Sequence, residues 1–370
     1  MADFVSATKK GDSNPIPQQI PQHRRFGGTA ADGSRTLNLV ELLLWIPFMD
    51  ETQEKLARLF MPFAMSRLDA LKETNTHFVH YTSAFAATQI IKNEEVWLRN
   101  SLVMNDFSEV QHGETCLAES WKDDAVGGRL RVLLDQIEDG LAGRFAEAFD
   151  AHTNERNVQS FLLSVSEHGS SASAEGKYGR LSMWRAYGGD TNVALVFNNS
   201  PFLSEEVKLQ AFSSPVLYAD YDGFKEQFVA LVEGLEAEFE TIKSLGADVV
   251  IQQLYWAFHM ASLSTKHPGF SEEKEWRVIY SPTLFGRSPL MREEIETLEG
   301  VPQKVIKLPL KADAASGYSG YSVSEILEEI IIGPTETSWP IYESLAMLLE
   351  QNGVKDAWNK VRRSDIPLRR

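Results

Sequence analysis

The chain has 370 residues, and its 43% hydrophobic content can supply a substantial core. Its 52 acidic and 36 basic residues give a formal net charge of −16, which repels phosphate backbones at long range. This charge argues against non-specific nucleic-acid binding, although a local basic patch can still hold a nucleotide or an RNA end.

The single cysteine, Cys116, excludes an intrachain disulfide and a cysteine-rich zinc site. It lies in a predicted helix without a cue for an activating partner, so we expect packing rather than nucleophilic chemistry.

The N-terminal region has the composition of a separate segment. Residues 1–36 are rich in Pro, Gly, Gln and Ser and have no apolar period, which predicts a mobile arm. Residues 37–75 predict a helical cap interrupted at Pro47 and Pro62, suited to contact with a protein partner. The start lacks a basic segment followed by an apolar core, and no run reaches the roughly 18 apolar residues of a membrane span. We therefore expect a cytoplasmic protein.

The pattern of residues 76–370 predicts one α+β domain. Strand patterns recur at 77–83, 95–100, 160–167, 192–199, 214–221, 275–280, 303–310 and 327–334, with a last short strand near 364–369. Helical patterns separate them, including a helical insertion at about 223–262. Because the strands are short, polar at intervals and irregularly spaced, mixed or antiparallel sheets are favoured over a doubly wound parallel fold.

Two polar clusters come early in the chain. His80 and Tyr81 lie on the first strand, where a structural pair is the simpler interpretation. Asn105 and Asp106 lie in a turn, with Glu109 placed as in a capping box, so helix capping is again the simpler interpretation. Either cluster can instead line a ligand site.

The segment "LSMWRAYGGD" is a richer candidate. Ser182, Trp184, Arg185 and Tyr187 combine a hydroxyl, two amphipathic aromatic rings and a planar cation, and the two following glycines permit a close backbone approach. This set suits a flat heteroaromatic ring that carries a phosphate. The alternative is a helix that packs its aromatic side into the core.

Late in the chain, "EKEWRVIY" places Glu275 and Arg277 two residues apart on a predicted strand, so they share one face. Glu275 is either a paired surface ion or a pocket carboxylate, and Arg277 would hold it ionised and oriented. Several common motifs are absent: a phosphate-binding loop, a dinucleotide-binding glycine fingerprint, an HExxH zinc motif and a GxSxG elbow. The scattered histidines predict no metal site.

Taken together, the blocks "HYTSAFAATQIIKNEEVWLRNSLVMNDFSE", "FLLSVSE", "LSMWRAYGGDTNVALVF", "EKEWRV" and "IIIGP" resemble a bacterial family of unknown function, number twenty-nine seventy-one in that series. The resemblance covers about residues 78–368. The order of a histidine, an aromatic residue and a glutamate is similar to the ADP-ribosyltransferase superfamily, whose members split NAD at the bond between nicotinamide and ribose. The resemblance implies an ADP-ribosyltransferase-like α+β fold.

The resemblance also implies roles for single residues. His80 would hold the adenosine-side ribose, Tyr187 or Trp184 would stack on nicotinamide, and Glu275 would steady the nicotinamide ribose. A carboxylate there stabilises the positive charge of an oxocarbenium-like state, and Glu275 could also take a proton from the acceptor. The predicted catalytic residues are therefore Glu275, His80 and Tyr187. The predicted NAD-binding residues are His80, Tyr81, Asn105, Asp106, Ser182, Trp184, Arg185, Tyr187 and Arg277.

Three hypotheses for the function follow. The first is an NAD-dependent enzyme that transfers ADP-ribose to a protein or nucleic acid, as a toxin or anti-phage effector. The second is a catalytically inactive module of the same fold that senses a nucleotide or protein. The third is a metal-dependent nuclease or phosphodiesterase that uses Asp106, Glu109 and Glu275, against which the net charge and the ligand spacing count.

Overall fold

The computed structural model describes residues 51–103, 107–187, 189–204, 206–298 and 300–367, without the side chains of 51–53, 107, 108 and 285. The predicted arm, the cap up to residue 50, Asn105 and Asp106 lie outside this description. Within the described part of the chain, no helix is both long enough and apolar enough to cross a membrane.

Helices occupy much of the described chain, and two of them, α1 and α2, form the described part of the predicted cap. The helices are α1 (Glu51–Phe60), α2 (Pro62–Glu73), α3 (Ala84–Asn93), α4 (Phe107–Lys122), α5 (Gly127–Ile137), α6 (Leu141–Ala151), α7 (Thr153–Val158), α8 (Ala174–Tyr178), α9 (Leu181–Tyr187), α10 (Tyr221–Ala237), α11 (Phe239–Leu245), α12 (Ala247–Leu263), α13 (Pro282–Phe285), α14 (Val323–Ile326) and α15 (Ser338–Gln351). A 3₁₀ helix at Pro268–Glu273 precedes the strand that carries Glu275.

The strands lie close to the positions that the sequence predicts. They are β1 (Phe78–Ser83), β2 (Glu95–Asn100), β3 (Phe161–Glu167), β4 (Asn192–Phe197), β5 (Ala211–Pro215), β6 (Leu217–Tyr218), β7 (Thr265–Lys266), β8 (Glu275–Tyr280), β9 (Arg292–Leu298), β10 (Val301–Pro309), β11 (Leu327–Ile332) and β12 (Val361–Arg363). The predicted strand at 214–221 is divided between β5 and β6, and the last strand ends before the predicted 364–369. Strand β9, whose side chains are mostly charged, has no counterpart among the strands predicted from the sequence.

Ten strands form a mixed sheet in the order β12-β11-β4-β1-β3-β2-β10-β9, with β8 beside β3 and β5 beside β8. Only the β11 and β12 pair within this sheet is parallel among the described pairings. Strands β6 and β7 form a separate parallel pair. Mixed strand directions, with helices on both sides, confirm the α+β prediction.

Strand β3 connects three parts of this sheet. One of its edges pairs with β8 along residues 161–166. The other edge pairs with β1 at Ser166 and Glu167 and with β2 at Phe161 and Leu162. Between these short ladders, the Ser164 carbonyl accepts a hydrogen bond from Nδ1 of His80 at 3.0 Å. A side chain thus satisfies a backbone acceptor where β1 and β2 diverge.

The register divides the sheet into two faces, because directly paired residues share a face and successive residues alternate. Face A carries Val79, Tyr81, Ser164, Ser166, Glu275 and Arg277. Face B carries Phe78, His80, Val165, Trp276 and Val278.

Helices cover both faces. On face A, α4, α10 and α12 pack over β3 and β8 through Leu162 and Ile279. Farther along face A, Met183 and Trp184 of α9 pack on β1 and β4. On face B, α3 and α15 pack against β4 through residues such as Ile91 and Leu345. The gap on face A between the α4, α10 and α12 group and α9 is where the buried charges lie.

Candidate functional site: a buried charge cluster on face A

Glu275 occupies the first position of β8. Lys274, just before it, adopts a left-handed conformation with φ of 47° that ends the 3₁₀ helix. The Glu275 amide donates to the Tyr218 hydroxyl at 2.7 Å. This turn and this hydrogen bond fix the backbone, so the Glu275 side chain points to face A with little conformational freedom.

Both carboxylate oxygens of Glu275 have partners, and the residue is 5% exposed. The Ser164 hydroxyl donates to Oε1 at 2.5 Å, and Nε of Arg277 donates to the same oxygen at 2.8 Å. Nη2 of Arg277 lies 3.2 Å from Oε2, and Nζ of Lys266 lies 3.3 Å from it. Burial by itself would raise the pKa of Glu275, but Arg277, Lys266 and Ser164 lower that pKa to about 2. Glu275 is therefore ionised across the physiological range.

Two further carboxylates complete the cluster. Glu109 of α4 pairs with Nη2 of Arg277 at 2.7 Å and with Nζ of Lys266 at 2.8 Å. Glu273 pairs with Lys266 at 2.7 Å. Within this set of five side chains, three carboxylates thus face two cations in a region largely shielded from water, and Arg180, Lys274 and Glu175 adjoin the set. A partly unbalanced negative charge in such a region attracts positive charge strongly.

Arg180 joins this cluster to the neighbouring helices. Its guanidinium donates to the carbonyls of Glu273 at 2.7 Å and Glu167 at 3.0 Å, and it pairs with Glu175 of α8. Its backbone amide donates to the Tyr81 hydroxyl at 2.8 Å. Tyr81 therefore faces the same side as Glu275, but its hydroxyl is already engaged.

The structure places His80 and Glu275 on opposite faces of the sheet, whereas the roles predicted for them require both to contact one NAD molecule in a single cleft. The physical reason is strand alternation: Val79 pairs with Ser166 on face A, so His80 points to face B. His80 there lines a largely apolar cavity of about 420 Å³ with residues such as Leu163, Val165 and Phe202. Burial lowers the pKa of His80, so its imidazole is neutral.

Helix α9 separates the residues that the sequence grouped as a ring-binding set. Trp184 is buried, packs edge-on against Tyr81 with centroids 4.8 Å apart, and donates from Nε1 to the Tyr178 carbonyl at 2.9 Å. Tyr187 is 37% exposed and Arg185 is exposed on the same helix. The Ser182 hydroxyl is buried and lacks a hydrogen-bond partner among the described residues. The packing alternative therefore describes Trp184, whereas the ligand-binding roles of the other three stay predictions.

Arg277 pairs with Glu275 as the sequence predicts, whereas several other members of the cluster were not predicted. Glu273 lies two positions before Glu275, so alternation could have drawn attention to it. The serines of "FLLSVSE" also alternate, and Ser164 contacts Glu275. No local sequence pattern could have identified Lys266 as a member of the cluster, because only tertiary contact brings it there. The sequence pattern around Glu109 is typical of a helix cap, and a metal ligand was the alternative, yet Glu109 pairs with Arg277 and Lys266. Within the described ranges, no group of three or more His, Cys, Asp or Glu is placed to hold a metal ion.

The comparisons with known proteins identify one matching family. The model of a family described as protein of unknown function (DUF2971) matches residues 183–278. The matched stretch begins inside α9 and ends inside β8, so it includes Lys266, Glu273, Glu275 and Arg277. It supports the family resemblance over this part of the chain, a shorter stretch than residues 78–368. No curated protein and no solved structure matches the chain.

Proposed function

We propose that the protein is an NAD-dependent enzyme of the ADP-ribosyltransferase type, with Glu275 as its fixed anion. The observation that supports this proposal is the buried, ionised carboxylate of Glu275, oriented by Ser164 and Arg277 within a cluster where carboxylates outnumber cations. A preorganised negative charge of this kind favours a reaction in which positive charge develops beside it.

Cleavage of NAD is a reaction that the negative charge of this cluster would favour. The bond between the ribose C1′ and the nicotinamide nitrogen breaks, and neutral nicotinamide leaves with the electron pair. The ribose then carries oxocarbenium character until the acceptor nucleophile bonds to C1′ and releases its proton. Because NAD carries a positive nicotinamide ring, both the substrate end and the transition state suit the charge excess around Glu275.

The pKa of Glu275 decides between two roles for this carboxylate. A general base works best with a pKa near the working pH, whereas the pKa of Glu275 is about 2. We therefore assign Glu275 an electrostatic role and leave the acceptor proton to another base or to water. Since His80 lies on face B, this proposal gives it no contact with NAD bound beside Glu275 and withdraws its predicted role at the adenosine-side ribose.

NAD would be the co-substrate, and a protein or nucleic acid in the cytoplasm would be the acceptor. We further propose that the enzyme acts as a toxin or as an anti-phage effector. The N-terminal helical region, of which α1 and α2 are described, would contact a protein partner.

The test is release of nicotinamide from labelled NAD by the purified protein, with and without cell lysate. Glu275→Gln preserves the size of the side chain and removes its charge, so we expect nicotinamide release to fall by at least about 100-fold, the range typical of a lost electrostatic contact in a transition state. Glu343→Gln, which removes an exposed carboxylate from α15, serves as the control and should leave the rate unchanged. Circular dichroism must show both variants folded.

A second candidate function is a binding module without catalysis. The observation that favours it is the pairing of both Glu275 oxygens inside the cluster, as in a purely structural ion network. Under this hypothesis the folded wild-type protein binds NAD or a related nucleotide in calorimetry but releases no nicotinamide. Label that ends on protein, on nucleic acid or on water would instead identify the enzyme and its acceptor.

A further inference from the structure

A second cluster, on the surface near the C-terminus, combines exposed aromatic rings with cations. Trp339 at the start of α15 is 63% exposed, Trp358 is 39% exposed, and Tyr178 at the end of α8 is 47% exposed. The rings of Trp339 and Tyr342 stack with centroids 5.4 Å apart and an interplanar angle of 24°. Grouped exposed rings are unusual on a soluble surface and mark a binding site.

The rings of Tyr178, Trp339 and Tyr342 border a groove of about 550 Å³, which is a suitable volume for a nucleotide-sized ligand. Lys177, Arg363 and Asp365 line the groove with Tyr178, Trp339 and Tyr342. We call this set the aromatic groove. Two cations against one carboxylate give it a local positive charge, in contrast to the chain's net charge of −16.

Hydrogen bonds and an ion pair hold the two walls of the groove in place and leave its aromatic rings exposed to solvent. Arg362 pairs with Glu329 and also donates to the carbonyl of Gly176 at 2.6 Å and to that of Lys177. On the other wall, the Tyr342 hydroxyl donates to the Trp358 carbonyl at 3.0 Å. Arg362 is therefore engaged in holding the wall, and the groove presents Lys177 to a ligand together with Arg363, whose Nε lies 3.9 Å from Asp365 in an exposed pair.

We infer that the aromatic groove binds single-stranded nucleic acid. Stacking rings recognise the flat face of any base, and adjacent cations hold the phosphates between bases. Cations beside the rings favour this polyanion over a neutral sugar or an apolar peptide. Rings on both walls, Tyr178 on one and Trp339 on the other, offer more than one stacking surface, which favours a strand over a free nucleotide.

The inference is independent of the proposed NAD chemistry. On α8, Glu175 faces Arg180 and Lys274 beside the charge cluster, whereas Lys177 and Tyr178 face the groove. The Glu275→Gln variant should consequently bind nucleic acid as the wild type does. Loss of nicotinamide release with retained binding would separate the two proposals.

The experiment measures fluorescence anisotropy of labelled single-stranded DNA and RNA of about 12 nucleotides, a length within the usual site sizes. Trp339→Ala should weaken binding by about tenfold or more, since it removes one stacking surface. Phe85→Ala, which removes another exposed ring at 69% exposure on α3, is the matched control and should bind normally. Equal binding by wild type and Trp339→Ala would overturn the inference.

Charge supplies a second readout. Two phosphate contacts predict a slope of about −1.4 in a plot of log affinity against log salt, or about sevenfold weaker binding between roughly 50 and 200 mM salt. Lys177→Glu should flatten this slope, whereas Lys122→Glu, an exposed lysine at the end of α4, should not. Competition by adenosine monophosphate as effective as that of the oligonucleotide would show a mononucleotide site and overturn the assignment to a strand.

Discussion

Replacing Arg277 with methionine should destabilise the fold severely, because Arg277 is the central cation of the face A cluster. The guanidinium donates to Glu275 at 2.8 Å, to Glu109 at 2.7 Å and to the Leu263 carbonyl at 2.5 Å. Methionine fills similar space but leaves two buried carboxylates with one fewer cation and a carbonyl without its donor. Breaking a buried ion pair by removing one partner costs about 3–5 kcal/mol, and we expect the free energy of unfolding to fall by that amount.

The assay is equilibrium unfolding in urea, followed by circular dichroism and tryptophan fluorescence so that two-state behaviour is checked. The control is Arg129→Met, which removes an arginine that pairs with Glu236 across the exposed surface of α5 and α10. Because water screens that pair, the control should leave the unfolding midpoint close to that of the wild type. Equal shifts of the midpoint in both variants would refute the reasoning that burial makes the face A cluster essential.

Two further predictions concern single ionisable groups. The pKa of Glu275 and that of Glu329 are both about 2, because hydrogen-bond donors and cationic partners outweigh the effect of burial. A depressed pKa in the folded state stabilises the protein above the ordinary value of 4.5, and this stability is lost as pH falls from there toward 2. The free energy of unfolding should accordingly decline more steeply over that window in the wild type than in Glu329→Gln, and parallel curves would contradict this. Burial raises the pKa of the Cys116 thiol to about 11, so a thiol reagent at pH 8 should label the native protein far more slowly than the urea-unfolded protein. Similar labelling rates would show that the thiol is accessible.

The sequence predicted the strands well wherever their side chains are mainly apolar. The runs at Phe78–Ser83, Phe161–Glu167 and Asn192–Phe197 contain aromatic, β-branched and leucine side chains, and the structure forms β1, β3 and β4 there. Strand β9 was missed because its stability comes from its partner: Lys307 of β10 pairs with Glu294 and Glu296 across the ladder. A cross-strand ion pair leaves no periodic signal in one strand alone.

The site was harder to predict than the fold, because its members come from distant parts of the chain. Alternation correctly placed Glu275 beside Arg277, since both belong to one strand. It could not place His80 relative to Glu275, because the relation between two strands depends on their register, and a shift of one residue reverses the face. Lys266 and Glu109 reach Glu275 through tertiary packing alone. Local rules therefore identified the acid and Arg277, but not Lys266, the second cation that keeps Glu275 charged.

The position of β3 between three partner strands has a consequence during synthesis on the ribosome. Strand β3 leaves the ribosome well before β8. The edge of β3 that β8 will cover therefore stays unpaired while the intervening helices are translated. An uncovered edge with the apolar run "FLLSV" is a template for unwanted pairing with another nascent chain. Production of the intact protein should therefore depend on chaperone capacity, and truncation before residue 275 should yield insoluble material.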